Sequence, residues 1–331
     1  MHIAKLEDIA RELDLSVSTV SRAMSGTGRV SEKTRKRVLS AAESIGYTVN
    51  DVARSLRLRD THLMGIIVPD ISNSYFSGAI KGAQQCCNKY GYSLMVCNTD
   101  ADEAMELHAL EIMMMKQVSG IILASVRHDP QIQRKGIPCV LIDNIPEFTD
   151  NVDVVTIDNY MAAKRLTEAM IQRGYCKIGM ITGPINQSSG KLRREGFIDA
   201  LNEARIPLQK SWIVEGDFHR ASGYSGMRNL LQNESFPRAV ICGNNHIAYG
   251  AVRAVRDAGL SVPKDIALAS FDAYDETGLI FPSIASMDQP VEDIGRYAVE
   301  ILIDRINAGD GEEPKPKNII LNPLLFDGDS W

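Results

Sequence analysis

No apolar run in the 331 residues approaches the ~18–20 that a membrane-crossing helix needs. The chain begins Met1-His2-Ile3-Ala4-Lys5-Leu6-Glu7-Asp8, meeting acidic residues too early for the apolar core of a secretory leader, so the expectation is a cytoplasmic protein. Its six cysteines (Cys86, Cys87, Cys97, Cys139, Cys176, Cys242) contain no C-x-x-C pair, and its six histidines form no H-E-x-x-H. Free thiols in a reducing compartment follow, with no metal site expected. No G-x-G-x-x-G opens a helix after a strand, since Ser25-Gly26-Thr27-Gly28 lies between two helical stretches. A Walker A loop, a G-x-S-x-G elbow and the kinase motifs are missing too, and no carboxylate spacing singles out an acid/base pair. The expectation is a chain that is not an enzyme and carries no cofactor.

Charge is present but unevenly spread. The net charge of −6 divides into +3 over residues 1–60 (eleven Lys/Arg, eight acids) and −9 over the remaining 271. A basic head on an acidic body suits a polyanion-binding module joined to something else. At 44% apolar and 24% charged, the composition is that of a folded protein long enough for about two domains.

The head reads as three short helices. Leu6, Ile9, Ala10 and Leu13 fall at i, i+3, i+4, i+7, one amphipathic stripe. Asp14-Leu15-Ser16 breaks it, and Ser16 can cap a second helix whose buried side is Val20, Ala23 and Met24. Ser18, Ser21, Arg22 and Ser25 lie on its opposite side, small hydroxyls and an arginine that let a helix press against a polyanion. Ser31 caps a third helix carrying Val38, Ala41, Ala42 and Ile45 and ending at Gly46. Helix, three-residue turn, helix is the helix-turn-helix plan, whose second helix enters the major groove.

From Leu63 onward, apolar strand-like runs (64–68, 94–97, 120–123, 138–142, 154–157, 178–181, 239–242, 266–269) alternate with helical windows such as 76–90, 161–173, 190–204, 246–258 and 291–307. Continuous apolar strands separated by helices predict parallel sheets covered on both faces. Met113-Met114-Met115 reads as helix core.

Leu15-Ser16-Val17-Ser18-Thr19-Val20-Ser21-Arg22 closely resembles the V-S-x-x-T-V-S-R signature of the lactose-repressor (LacI/GalR) family. Val30-Ser31-Glu32-Lys33-Thr34-Arg35, Gly46-Tyr47-Thr48-Val49-Asn50 and Val52-Ala53-Arg54-Ser55-Leu56 match its next blocks without a gap, and the likeness continues over the body. It implies an α/β fold class: an all-α helix-turn-helix head (1–48), a hinge helix or linker (49–60), and a periplasmic-binding-protein-like effector and dimerisation body (61–331) of two doubly wound parallel-sheet lobes. The N-lobe is expected at about 61–159 plus 290–318, the C-lobe at about 160–289 plus 319–331. The family usually has Pro where this chain has Val49, a change that relaxes the start of the hinge.

The resemblance implies DNA contacts at Leu6, Ser16, Val17, Ser18, Thr19, Ser21, Arg22, Arg29, Ser31, Thr34, Asn50, Ala53 and Leu56. Arg22 suits guanine O6/N7, Ser18 one flexible hydrogen bond and Val17 a thymine methyl. Thr19, Ser21, Ser31, Thr34 and Asn50 suit phosphates, which position without specifying, and capping is the alternative for Ser31 and Thr34. Leu56 is implied to wedge into a minor-groove step.

For the body, the cleft beyond the strands' carboxyl ends is the implied ligand site. Loops expected there are Asp70 to Phe76, Cys97 to Asp100, Asp143-Asn144, Gly183 to Arg193, Gly243 to His246 and Asp272. Effector contacts are implied at Ser74, Tyr75, Phe76, Asp143, Ser189, Arg193, Phe218, Asn244, Asp272 and Gln289. Many sugar-binding members carry Asp-Arg at Asp143-Asn144 and Asn-Asp at Asn244-Asn245. Losing that aspartate beside Arg193 leads to the expectation that an anionic effector is tolerated. The implied partners are double-stranded operator DNA, a sugar, sugar acid or sugar phosphate, and a second copy of the chain. The chain has no C-terminal leucine heptads, hence the expectation of a dimer. A phosphocarrier protein as co-effector, as in catabolite-control regulators, is the alternative.

Overall fold

The computed structural model describes residues 5–25, 30–46, 61–127, 136–146, 151–233, 235–272, 282–308 and 315–331. The chain forms two compact units, Met1–Thr61 and His62–Trp331.

In the first unit α1 (Leu6–Leu13), α2 (Val17–Ser25) and α3 (Glu32–Ser44) follow the predicted stripes. Ile9, Ala10, Val20, Ala23, Val38, Ala41 and Ala42 make one small core, with Leu6, Leu13, Met24 and Ile45 packed against it. Short helices of this kind need capped ends to persist. Ser16 Oγ accepts from the Thr19 amide at 3.1 Å and Ser31 Oγ from the Thr34 amide at 3.1 Å, as the sequence suggested. Asp14, in the left-handed region at φ 51°, turns the chain between α1 and α2.

The second unit holds two six-stranded sheets. Its first half comprises β1 (Leu63–Val68), α4 (Ser74–Lys89), β2 (Ser93–Asn98), α5 (Glu103–Met115), β3 (Gly120–Leu123), β4 (Cys139–Ile142) and β5 (Asp153–Ile157). Then come α6 (Asn159–Gln172), β6 (Ile178–Thr182), α7 (Ser188–Glu203), β7 (Ile213–Glu215), α8 (Arg220–Leu231), β8 (Ala239–Cys242), α9 (Asn245–Asp257), β9 (Ala267–Phe271) and β10 (Ala285–Asp288). The chain crosses back for α10 (Val291–Ala308) and β11 (Asn318–Leu321), then ends in β12 (Leu324–Phe326). Strand orders are β11-β5-β4-β3-β1-β2 and β12-β10-β9-β8-β6-β7. All pairings are parallel except that of β12 with β10.

Because the strands are covered on both faces, each lobe has two apolar layers. In the first lobe α4 and α10 bury Ala79, Ala83, Ile294 and Leu302 against Met64, Ile66 and Val68, while α5 sets Leu110 and Met113 against Ile67 and Ile121. In the second, α6 and α7 cover Ile178 and Met180 on one face and α8 and α9 cover Ile181 and Val240 on the other. Two expectations change. Met113 is core, but Met115 at the end of α5 is 72% exposed, because the triplet spans more than one face of the helix. β11 stays with the first sheet through Leu321, so the last crossing follows Leu321 rather than residue 318.

Candidate functional site

On the head, the side of α2 away from the core presents exposed Val17, Ser18 and Arg22, with Thr19 and Ser21 half-buried. Val17, 41% exposed, is an apolar side chain left out of the core at the first position of the helix. Ser16 Oγ also bonds the hydroxyls of Ser18 and Thr19 (2.9 and 2.8 Å), and Ser31 Oγ that of Thr34 (2.8 Å). Ser31 thus caps α3 through the Thr34 amide, the alternative to phosphate contact named for that pair, and Ser16 caps α2. Leu6 is half-buried against the head core. The expectations at Arg29, Asn50, Ala53 and Leu56, and for the hinge over 49–60, lie outside the described residues.

In the body, the carboxyl ends of the two sheets face a cleft of about 640 Å³, counting its open mouth. Of the ten expected contacts, Tyr75, Phe76, Asp143, Arg193, Phe218, Asn244, Asp272 and Gln289 line it; Ser74 and Ser189 do not. Ser74 is exposed, its Oγ 2.9 Å from Asn245 Nδ2, and Ser189 is buried with its hydroxyl unpartnered. Ala101, Val126 and His219 line the cleft although they fall outside the expected loops and contacts. His219 follows β7, a three-residue strand with no apolar run to mark its end.

Arg193, on the first turns of α7, is the centre of the site. It is 3% exposed, its Nε donates to Asn159 Oδ1 (2.8 Å), its Nη1 donates to the Gly243 carbonyl (2.7 Å), and its guanidinium lies over the Phe271 ring at 3.9 Å. Burial pulls its pKa down while the charges of Asp272 and Asp143 oppose that pull. The same burial pushes both carboxyls up to about 6, against the attraction of Arg193. Asp272, at φ 53°, accepts from the Gln289 amide (3.2 Å) and from Gln289 Nε2 (2.7 Å). The Tyr75 hydroxyl is buried without a partner, and its pKa is raised by burial and by Asp143 and Asp272. Tyr75 and Phe76 meet edge to face at 5.0 Å, and the Phe218 ring closes over Gly183, where a methyl would overlap it. Asn244 spends its side chain on the fold, capping α9 through the Ile247 amide (2.9 Å) and donating to the Phe218 carbonyl (3.0 Å).

A sequence profile described as "Periplasmic binding proteins and sugar binding domain of LacI family" matches residues 61–322, and "Bacterial regulatory proteins, lacI family" matches residues 5–50. The chain belongs to the LacI family. It is 34% identical to the catabolite control protein A of Priestia megaterium over 91% of its length and 92% of that protein's. It is 32% identical to the ribose operon repressor of Escherichia coli K12, covering 98% of this chain and 99% of the relative. The lac repressor dimer bound to operator and the anti-inducer ONPF shares the fold, with a TM-score of 0.87 at 22% identity over 99% of each chain. Members of the LacI family are DNA-binding transcriptional regulators, not enzymes, and this chain is a LacI-family regulator with a helix-turn-helix head and a sugar-binding type of body. Among the described residues no helix is long and apolar enough to cross a membrane.

Proposed function

We propose that this LacI-family regulator represses transcription as a dimer on a near-palindromic operator and takes an uncharged sugar as its effector in the cleft between the lobes. One observation carries the effector class: a single buried guanidinium, Arg193, shares the cleft lining with four carboxylates, Asp70, Asp143, Asp217 and Asp272. Carboxylates accept from hydroxyls and a guanidinium donates to them, while Phe76 and Phe218 offer faces to C–H surfaces. A phosphate or carboxylate would meet a net negative wall. The expectation of tolerance for an anion, drawn from the lost aspartate at Asn245, is therefore withdrawn: Asp143 and Asp272 supply the acidic groups beside Arg193. The ribose operon repressor among the relatives points the same way.

Val17, Ser18 and Arg22 on the outer face of α2 support base reading, with Thr19 and Ser21 beside them for the backbone. One head makes few contacts, so a two-fold pair reading two half-sites suits the fold. An effector that favours one lobe arrangement by about 1–3 kcal/mol would change operator occupancy roughly 5–150-fold.

A thermal-shift screen of the full chain against neutral pentoses and hexoses, their acids and their phosphates tests the effector class. At 100 times its Kd a true ligand adds about 2.7 kcal/mol. Stabilisation by neutral sugars alone supports the reading, and stabilisation by sugar phosphates or acids alone overturns it. The second reading, a phosphocarrier protein as co-effector, is favoured by the match to catabolite control protein A and predicts operator binding that responds to that protein and to none of the sugars.

A further inference from the structure

Two buried asparagines, Asn144 and Asn245, join the lobes. Asn144 follows β4 in the first lobe and is 5% exposed. Its Nδ2 donates to the Ser125 carbonyl of the same lobe (2.7 Å), fixing the amide plane. Its Oδ1 then accepts from the Ser188 amide (2.6 Å) and hydroxyl (3.0 Å), at the first residue of α7 in the second lobe. Ser188 Oγ in turn accepts from the Ile145 amide (2.7 Å). α7 has no cap of its own, because Gln187 before it makes no side-chain capping bond. The free amides of a helix start need an acceptor, and here the opposite lobe supplies it.

Asn245 makes the second tie from the opposite direction. It begins α9 in the second lobe and is 2% exposed. Its Oδ1 accepts from the His246 amide (2.8 Å), and its Nδ2 donates to Asn73 Oδ1 (3.0 Å) and Ser74 Oγ (2.9 Å) in the first lobe. Asn73 is the cap of α4, accepting from the Tyr75 amide at 3.0 Å. One tie thus holds the start of α7, which carries Arg193, and the other holds the start of α4, which carries Tyr75 and Phe76.

We propose that Asn144 and Asn245 are positioning residues that hold the two lobes together over the cleft, each lobe steadying the first turn of the other's cleft helix. Asn144 Oδ1 and Asn245 Nδ2 are satisfied only while the lobes are together, so separation trades five inter-lobe bonds for water and uncaps α7 at the same step. Arg193, Tyr75 and Phe76 are thereby held in place for an effector. That last consequence rests on reading the cleft as the effector site; the closure itself does not.

Amide hydrogen exchange on the effector-free, full-length chain tests the closure. Asn245→Ala touches neither Ser188 nor Ile145, yet it should speed exchange at both amides about tenfold. Ile181 in β6 should keep its wild-type rate and so report an intact fold. The reciprocal variant, Asn144→Ala, should speed exchange of the Asn245 side-chain amide protons, which donate across to Asn73 and Ser74, and serves if Asn245→Ala does not fold. Unchanged rates at the far tie in the variant that folds overturn the proposal, as do fast-exchanging Ser188 and Ile145 amides in the wild-type chain. Because no effector is used, this failure would leave the proposed function standing, and a silent sugar screen would leave the closure standing.

Discussion

The Arg193 guanidinium lies 3.9 Å from the centroid of the Phe271 ring. Stacking on the last residue of β9 and bonding to Asn159 and Gly243 fix the plane of a side chain that is otherwise flexible. Arg193→Lys keeps the charge but loses the plane and the fork. We expect an effector found by the sugar screen to bind roughly 10–150-fold more weakly, the equivalent of about 1.5–3 kcal/mol. Calorimetric titration of the folded variant measures this, and unchanged affinity would remove Arg193 from the site.

The carboxyl of Asp143 gives the body a pH dependence of definite sign. Its pKa rises from 3.8 to about 6 on burial, so the folded chain holds that proton more tightly than the unfolded one. Its contribution is most favourable below pH ~4 and is lost as pH rises through about 6. Asp272 acts in the same direction and window. Asp143→Asn should flatten this part of the stability profile. Urea unfolding at pH 5 and pH 7 is the measurement; an unaltered slope counts against the buried carboxyl.

Gly183 is a steric requirement of the cleft wall. A methyl there overlaps the ring of Phe218, a residue already at φ 65° and tethered through its carbonyl to Asn244. Gly183→Ala should push the ring aside and weaken effector binding about tenfold or more while the operator is still bound, because the head is untouched. Equal affinity in the variant would mean that Phe218 is not part of the wall that the effector meets.

On the head, Arg22→Ala and Lys33→Ala should separate reading from positioning. Arg22→Ala is expected to cost about 1–3 kcal/mol against the preferred base and to relax choice at that position. Lys33→Ala should weaken all sequences alike and reduce the salt slope by about one. Binding to a panel of operator variants at several salt concentrations shows the difference, and equal loss of preference from both changes contradicts it.

Ser31→Ala removes the cap of α3 and should lower the stability of the head by about 1 kcal/mol. Head unfolding monitored by amide exchange in the full chain reads this directly. Wild-type protection of α3 in the variant would mean that another acceptor takes over the Thr34 amide.

The head was legible because its information is local. Stripes such as Val38, Ala41 and Ala42, the caps Ser16 and Ser31, and the turn at Asp14 act within a few residues, so spacing alone declares them. The central strands were legible for a related reason: strands buried on both faces need unbroken apolar runs. The edge strands β7, β11 and β12 escaped, since their apolar runs are only two or three residues long, and β10 escaped because Ser286 is buried within it.

Sequence by itself determined the helix-turn-helix head, the alternating lobes and most of the loops that reach the cleft. What only the tertiary structure decided is how the side chains of those loops divide their work. Asn244 turns inward to cap and hold, Ser189 is buried away from the cleft lining, and Asn144 and Asn245 reach across to the opposite lobe. The reason is that caps and apolar stripes are fixed by neighbours in the chain, whereas a buried amide's partner is fixed by which residues, 44 or 172 positions away, folding brings within 3 Å.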